Sequence, residues 1–311
     1  DDASDIYMYD LSNSEEIQIT TAEEEQLTQG TETRITTNYS DQKGPSIYGD
    51  RIVWTDWRNG NEHDFINGDI YMYDISTSTE TQITDNKSSQ STPAIYGDRI
   101  VWSDYRNDNG TYMNSDIYMY DLSTHKETQI STSGSAYSPA IYEDRIVWQD
   151  WRNDNGSYTN LDVYMYDLST HKETQITTNG SRQYDPAIYG DRIVWCDSRN
   201  GDDYNPLDIY MYDLSTSRET QITTSESVSS PAIYGDRIVW NSQKINGNGD
   251  IYMYDLSTGI ETRVVPSSSS SYSAIYEDRI VWEDAKKYNG NSDIYMYNLS
   301  TSTKTRITAN E

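Results

Sequence analysis

The stretch Pro93-Ala-Ile-Tyr-Gly-Asp-Arg-Ile-Val-Trp102, followed after a polar loop by Asp116-Ile-Tyr-Met-Tyr120 and then Glu127-Thr-Gln-Ile130, decides the fold. Pro93 to Tyr96 reads as a short strand, Gly97-Asp98 as a two-residue hairpin turn, and Arg99 to Trp102 as a second strand whose unbroken apolar run implies burial on both faces. Asp116 to Tyr120 alternates Ile117 and Met119 against Tyr118 and Tyr120, the period of a third strand. Leu122-Ser-Thr-His125 makes a turn into a more polar fourth strand. Four strands in meander order make one blade.

The same sentence recurs six times. Its Ile-Val-Trp ends at Trp54, Trp102, Trp148, Trp195, Trp240 and Trp282, in steps of 48, 46, 47, 45 and 42 residues. A period in the forties built only from strand-like pieces predicts an all-β β-propeller of four-stranded antiparallel blades. Regular blades are expected at 45–85, 93–131, 139–178, 186–224, 231–265 and 274–309, within a single domain spanning 1–311. Residues 1–44 contain Asp5-Ile-Tyr-Met-Tyr9, Glu16-Ile-Gln-Ile19 and Thr31-Glu-Thr-Arg-Ile35, and lack any Ile-Val-Trp strand. Their length suits a seventh, irregular first blade or closure segment; the alternative is six blades plus an N-terminal two-hairpin extension.

Composition bounds the chemistry. With 51 Asp and Glu against 23 Lys and Arg, the net charge of −28 repels phosphate backbones and argues against nucleic acid as a partner. No apolar run of membrane-spanning length exists. Tyr occurs 29 times and Phe once, so the aromatic core keeps hydroxyls for hydrogen bonding. Cys196, the only cysteine, sits at the variable position after Trp195 and reads as a filler residue.

The turns between strands one and two, and between strands three and four, hardly vary, whereas the loop after strand two does. Between the aspartates that bound it lie 12 residues from Asp56 to Asp69, 11 from Asp104 to Asp116 and 8 from Asp284 to Asp293. Variation on one face of a repeat protein marks the binding face. Four of these loops begin Asp-x-Arg-Asn, giving the candidate ligand-binding residues Trp57, Arg58, Asn59, Tyr105, Arg106, Asn107, Trp151, Arg152, Asn153, Arg199 and Asn200. Tyr112, Tyr158, Tyr204 and Tyr288 add aromatic density further along. Aromatics at a loop root stack on sugar rings or clasp a partner's side chain, or else pack between blades. The Asp and Asn oxygens suit calcium, although an Arg inside the motif opposes a cation; the other reading is an Asp braced by Arg and turn amides. No cofactor is expected, unless calcium occupies one or more of these loops.

The strand-three aspartates repeat six times, and symmetry of that kind lacks the unlike environments that a pair of catalytic carboxylates needs. His63 lies in a long loop, while His125 and His171 occupy equivalent turns on the opposite face. No nucleophile elbow, phosphate-binding Gly loop or His-Glu metal motif is present, so the chain is expected not to be an enzyme.

The stretch Arg51-Ile-Val-Trp-Thr-Asp-Trp-Arg-Asn-Gly-Asn61, with Asp69-Ile-Tyr-Met-Tyr-Asp-Ile-Ser76 and Glu80-Thr-Gln-Ile-Thr84, resembles the repeat of TolB-type propellers. Its near-verbatim, tyrosine-rich, acidic repetition is similar to propeller modules of archaeal cell-surface and surface-layer proteins of methanogens. The resemblance covers about 265 residues. The fifth and sixth loops, which begin at Asn241 and Glu283, lack Arg-Asn and depart from the pattern. The resemblance implies an extracellular, cell-surface binding, adhesion or scaffold module that recognises a protein or glycan at the cell envelope. The alternative is a polysaccharide-acting lyase or hydrolase using the channel mouth.

Overall fold

The computed structural model describes residues 6–10, 26–27, 31–36, 40–60, 67–108, 114–201, 207–224, 227–242, 249–266, 270–285 and 292–308. Among them every regular element is a strand. The chain forms two compact units, Asp1–Tyr7 with Arg34–Pro186, and Met8–Thr33 with Ala187–Glu311.

Six antiparallel blades follow the expected meander. The first comprises β4 (Gln42–Tyr48), β5 (Arg51–Asp56), β6 (Asp69–Asp74) and β7 (Thr79–Gln82); the second, β8 (Gln90–Tyr96) to β11 (Lys126–Gln129); the third, β12 (Ala136–Tyr142) to β15 (Lys172–Gln175). The fourth runs from β16 (Gln183–Tyr189) to β19 (Arg218–Gln221), the fifth from β20 (Val228–Tyr234) to β23 (Ile260–Val265), and the sixth from β24 (Ser270–Tyr276) to β27 (Thr303–Arg306). In each, the strand-two Trp lies opposite the strand-three Tyr and stacks on it. Trp102 and Tyr118, for example, have ring centroids 6.3 Å apart at 24°.

Strand one begins about three residues before the Pro that the sequence suggests. The extra residues pair across a β-bulge, for instance between Ser91 and Ala94. At the bulge the backbone turns left-handed at Gly44, Thr92, Ser138, Asp185, Ser230 and Tyr272, and only the first is glycine. A bulge re-aims the strand end at the cost of local pairing.

The six-blade alternative is the one that matches. Among the described residues of 1–44, β1 (Tyr7–Asp10) and β3 (Thr31–Arg34) form a two-stranded sheet, not a four-stranded one. The segment has no Ile-Val-Trp strand to supply a blade's second strand. Between them, β2 (Gln26–Leu27) adds to the outer edge of β27 as a parallel fifth strand, Gln26 opposite Thr305. The expected strand over Glu16 to Ile19 lies outside the described residues.

Candidate ligand-binding face

In the first four blades the second strand ends in an aspartate buried beneath the loop it launches: Asp56, Asp104, Asp150 and Asp197. Asp150 accepts from the Trp148 indole at 3.0 Å, the Ser133 and Ser135 hydroxyls at 2.8 and 2.9 Å, the Arg152 amide at 2.9 Å and the Arg152 guanidinium at 2.6 Å. Burial works against its charge, but the Arg152 guanidinium and these donors outweigh it, and the carboxyl is held below its ordinary value. Arg152 also reaches Glu173 on strand four at 2.5 Å and lies 4.0 Å above the Tyr164 ring.

The pattern repeats. Arg58 bridges Asp56 and Glu80 over Tyr71; Arg106 bridges Asp104 and Glu127 over Tyr118; Arg199 bridges Asp197 and Glu219 over Tyr210. The neighbouring Asn side chain donates to the strand-three aspartate: Asn59 to Asp69 at 2.9 Å, Asn107 to Asp116 at 3.2 Å, Asn153 to Asp162 at 2.8 Å and Asn200 to Asp208 at 3.0 Å. Asp-x-Arg-Asn thus ties strands two, three and four together under the loop. Burial raises Asp69 and Asp162 above the ordinary carboxyl value, although their hydrogen bonds oppose it.

One substitution pattern within the chain escaped the sequence reading. In the fifth and sixth blades, where the loop Arg is missing, the strand-four position that carries Gln82, Gln129, Gln175 or Gln221 elsewhere becomes Arg263 or Arg306. These guanidinium groups reach the strand-three aspartates Asp250 and Asp293 at 2.9 and 2.8 Å. The cation has moved from loop to strand, and the exchange of Gln for Arg was its signal.

Among the described residues, no group of three or more His, Cys, Asp or Glu side chains could hold a metal ion. In the third loop, where Asp-Asn-Gly suggests a cation ligand, Asp154 instead accepts from the amides of Gly156, Tyr158, Thr159 and Asn160 at 2.7 to 3.1 Å. Desolvation opposes the charge there, yet the four amides prevail and lower its pKa. His125 and His171 each meet a tyrosine of their own blade, Tyr120 and Tyr166. Cys196 is buried, its Sγ directed to the Val228 carbonyl. His63, Tyr112, Tyr204 and Tyr288 lie outside the described residues.

The aromatics between Asp and Arg take a different position. Trp57 is buried, while Tyr105 and Trp151 are half-buried at the roots of the loops. Trp57 and Tyr105 line a cavity of about 450 Å³ with Lys43, Gly44, Thr55, Ser89, Ser91 and Thr92, in the first two blades. The Trp57 indole N–H has no hydrogen-bond partner. Trp151 forms a second cluster: its indole donates to the Tyr137 hydroxyl at 2.9 Å, Tyr158 meets it edge-on at 6.0 Å, and Arg182 lies 5.7 Å over its ring. The fourth blade has the small, buried Ser198 at this place.

No protein-family model and no curated protein matches the sequence. Solved structures share the fold. TolB from Acinetobacter baumannii superposes with TM-score 0.62 at 17% identity, over 85% of this chain and 66% of that one. An oligogalacturonate lyase in complex with manganese gives 0.63 at 16%, over 83% and 74%. The β-propeller domain of the Trilobed protease from Pyrococcus furiosus, described as having an open velcro topology, gives 0.65 at 16%, over 86% and 83%. The chain therefore spans just under two thirds of TolB. These similarities show a TolB-like β-propeller fold. They also correct the expectation that the chain is not an enzyme: the fold is shared with a lyase and with a domain of a protease, so missing sequence motifs do not exclude catalysis.

Proposed function

We propose that this chain is a recognition propeller at the cell exterior, binding a protein or glycan through the face that carries the variable loops. The observation that carries the reading is the cavity under the first two loops. Its volume falls in the range of small-ligand sites. Two aromatic rings, Trp57 and Tyr105, offer flat apolar surface, while Thr55, Ser89, Ser91 and Thr92 offer hydrogen-bonding hydroxyls. That combination suits a sugar ring, which has apolar C–H faces and a hydroxyl edge, and so favours a glycan. In this reading Arg58, Arg106, Arg152 and Arg199, with Asn59, Asn107, Asn153 and Asn200, hold the loops in place, and Trp57, Tyr105 and Trp151 make the contacts. The acidic surface and the resemblance to surface-layer modules support an exterior location.

A glycan array and an envelope-protein pull-down, run with the wild type and with Trp57→Ala/Tyr105→Ala, test this. Loss of captured ligand in a variant that melts cooperatively supports the cavity. Undiminished capture by that variant removes it.

A further inference from the structure

The last residue of strand one, immediately before the turn, is tyrosine in all six blades: Tyr48, Tyr96, Tyr142, Tyr189, Tyr234 and Tyr276. In the first unit their rings form a row, Tyr48 against Tyr96 with centroids 4.6 Å apart and Tyr96 against Tyr142 at 5.0 Å. In the second unit Tyr189 and Tyr234 stand 4.8 Å apart, and Tyr234 and Tyr276 4.9 Å. All four pairs are tilted by 46° to 54°. The repeat sets this spacing: Tyr48, Tyr96, Tyr142, Tyr234 and Tyr276 each lie opposite the arginine that opens strand two of their own blade.

Packing accounts for the rings but not for their hydroxyls, because phenylalanine would make the same tilted pairs. The hydroxyls add a second relationship. That of Tyr96 lies beside those of Tyr48 and Tyr142, and that of Tyr234 beside that of Tyr189. The two ring carbons ortho to a phenol oxygen flank it, so close centroids with neighbouring hydroxyls bring the ortho carbons of adjacent rings together.

Each row includes an accessible ring. Tyr48 is 41% exposed and Tyr276 is 65% exposed, while Tyr96 and Tyr234 beside them are half-buried. The strand-three tyrosines stand differently: Tyr71, Tyr118, Tyr164 and Tyr210 are buried, each packed against a tryptophan and covered by an arginine guanidinium. The strand-one rows thus pair tyrosine with tyrosine and leave one ring of a pair open to a reagent.

We propose that Tyr48–Tyr96 and Tyr234–Tyr276 are oxidative cross-linking sites, each pair becoming dityrosine through an ortho carbon–carbon bond when the molecule meets hydrogen peroxide and a haem peroxidase. The oxidant takes one electron and one proton from each phenol. The two phenoxyl radicals pair their electrons in a bond between ortho carbons, and each ortho hydrogen passes to the oxygen of its own ring, restoring both phenols. The pair has lost two hydrogen atoms; the peroxide, accepting two electrons and two protons, becomes two waters. Radical partners held in contact need no diffusional encounter, which favours the paired rings over other exposed tyrosines. The links tie the first blade to the second and the fifth to the sixth, a staple that the chain's single cysteine cannot supply within it.

The test treats the dilute full chain with a haem peroxidase and hydrogen peroxide, and free tyrosine in a parallel reaction reports that the oxidant is active. The expected product is a monomer with dityrosine fluorescence, lighter by two hydrogens per link, whose digest joins the peptide of Tyr48 to that of Tyr96 and the peptide of Tyr234 to that of Tyr276. Its Tm should rise by several degrees, because each link closes a loop in the unfolded chain. Tyr96→Phe with Tyr234→Phe keeps the stacked rings and removes one partner from each pair. That double variant should melt close to the untreated wild type and lose most of the dityrosine. Undiminished dityrosine in the double variant overturns the proposal, as do links that map to other tyrosines or between molecules. Absence of dityrosine in the chain while free tyrosine is coupled overturns it too.

Discussion

The indole of Trp151 donates a 2.9 Å hydrogen bond to the hydroxyl of Tyr137. Burial pushes the Tyr137 phenol up to about 12, and the Trp151 bond restrains the rise. Trp151→Phe should therefore move the phenol higher still, read by NMR of ζ-carbon-labelled tyrosine. It should also cost about 1 kcal/mol in urea unfolding, the net worth of one such bond. Trp57→Phe removes an N–H that has no partner and should cost less. Equal costs would contradict the structure.

Asp150 gathers the Trp148 indole, two serines and Arg152 in a buried position. Asp150→Ala leaves those donors unanswered and should cost about 3 kcal/mol or more, the range for breaking a buried pair. Ser242 holds the same place in the fifth blade, and the Trp240 indole there lacks a partner. Ser242→Ala should cost well under half as much in the same denaturant titration.

Acid should act in two opposite steps. Asp69 and Asp162, raised by burial, bind protons more readily folded than unfolded, so lowering the pH from neutral through their range adds stability. Relief of the net charge of −28 acts in the same direction. Asp150 and the turn aspartates Asp121, Asp167 and Asp213 are lowered, the last three chiefly by Ser hydroxyls. Their contribution is present above about pH 4, the ordinary aspartate value, and disappears as the pH falls through their folded values. Tm should pass through a maximum on the acid side of neutrality and fall below about pH 4. A steady decline from pH 7 would refute this.

The first turn between strands one and two has Gly49 at positive φ, and Gly97, Gly190 and Gly235 repeat it, but Glu143 and Glu277 hold the same conformation at φ 51° and 53°. A left-handed non-glycine residue costs about 1–2 kcal/mol, part of which glycine's greater unfolded freedom returns. Glu143→Gly should raise stability by about 0.5–1 kcal/mol in chemical unfolding. Unchanged or lower stability would show the strain to be absent.

Arg58, Arg106, Arg152 and Arg199 place a cation on each aspartate that calcium would otherwise take. Melting curves with calcium and with a chelator should coincide. A calcium-dependent rise of several degrees would convert the brace into a metal site.

Blade order and the places of strands two and three were legible because Ile-Val-Trp and Ile-Tyr-Met-Tyr carry burial and period in their own side chains, whereas the start of strand one was not. The bulge was not, since Thr92 and Ser138 are ordinary strand residues and their left-handed backbone is imposed by tertiary pairing. Trp57, Tyr105 and Trp151 were legible as loop-root aromatics. The difference between them was not: it depends on whether Lys43, Ser91 or Tyr137 lies on strand one of the same blade. The relocation of the cation to Arg263 and Arg306 was written in the sequence, and needed only alignment of the fourth strands.

At the turn end of the blades, Arg51 reaches Asp98 and Arg99 reaches Asp144, and Arg192 likewise reaches Asp236, each guanidinium bonding the turn of the following blade. In these three pairs of blades the plug and the socket are the same, so the contact reads position in the series without reading identity. Unequal crossing-over between such near-identical units would join blades that already fit, and copy number could drift without a new interface having to be invented. The molecule's neighbour rules are those of a chain of interchangeable links, and its individuality is confined to what the links carry on their loops.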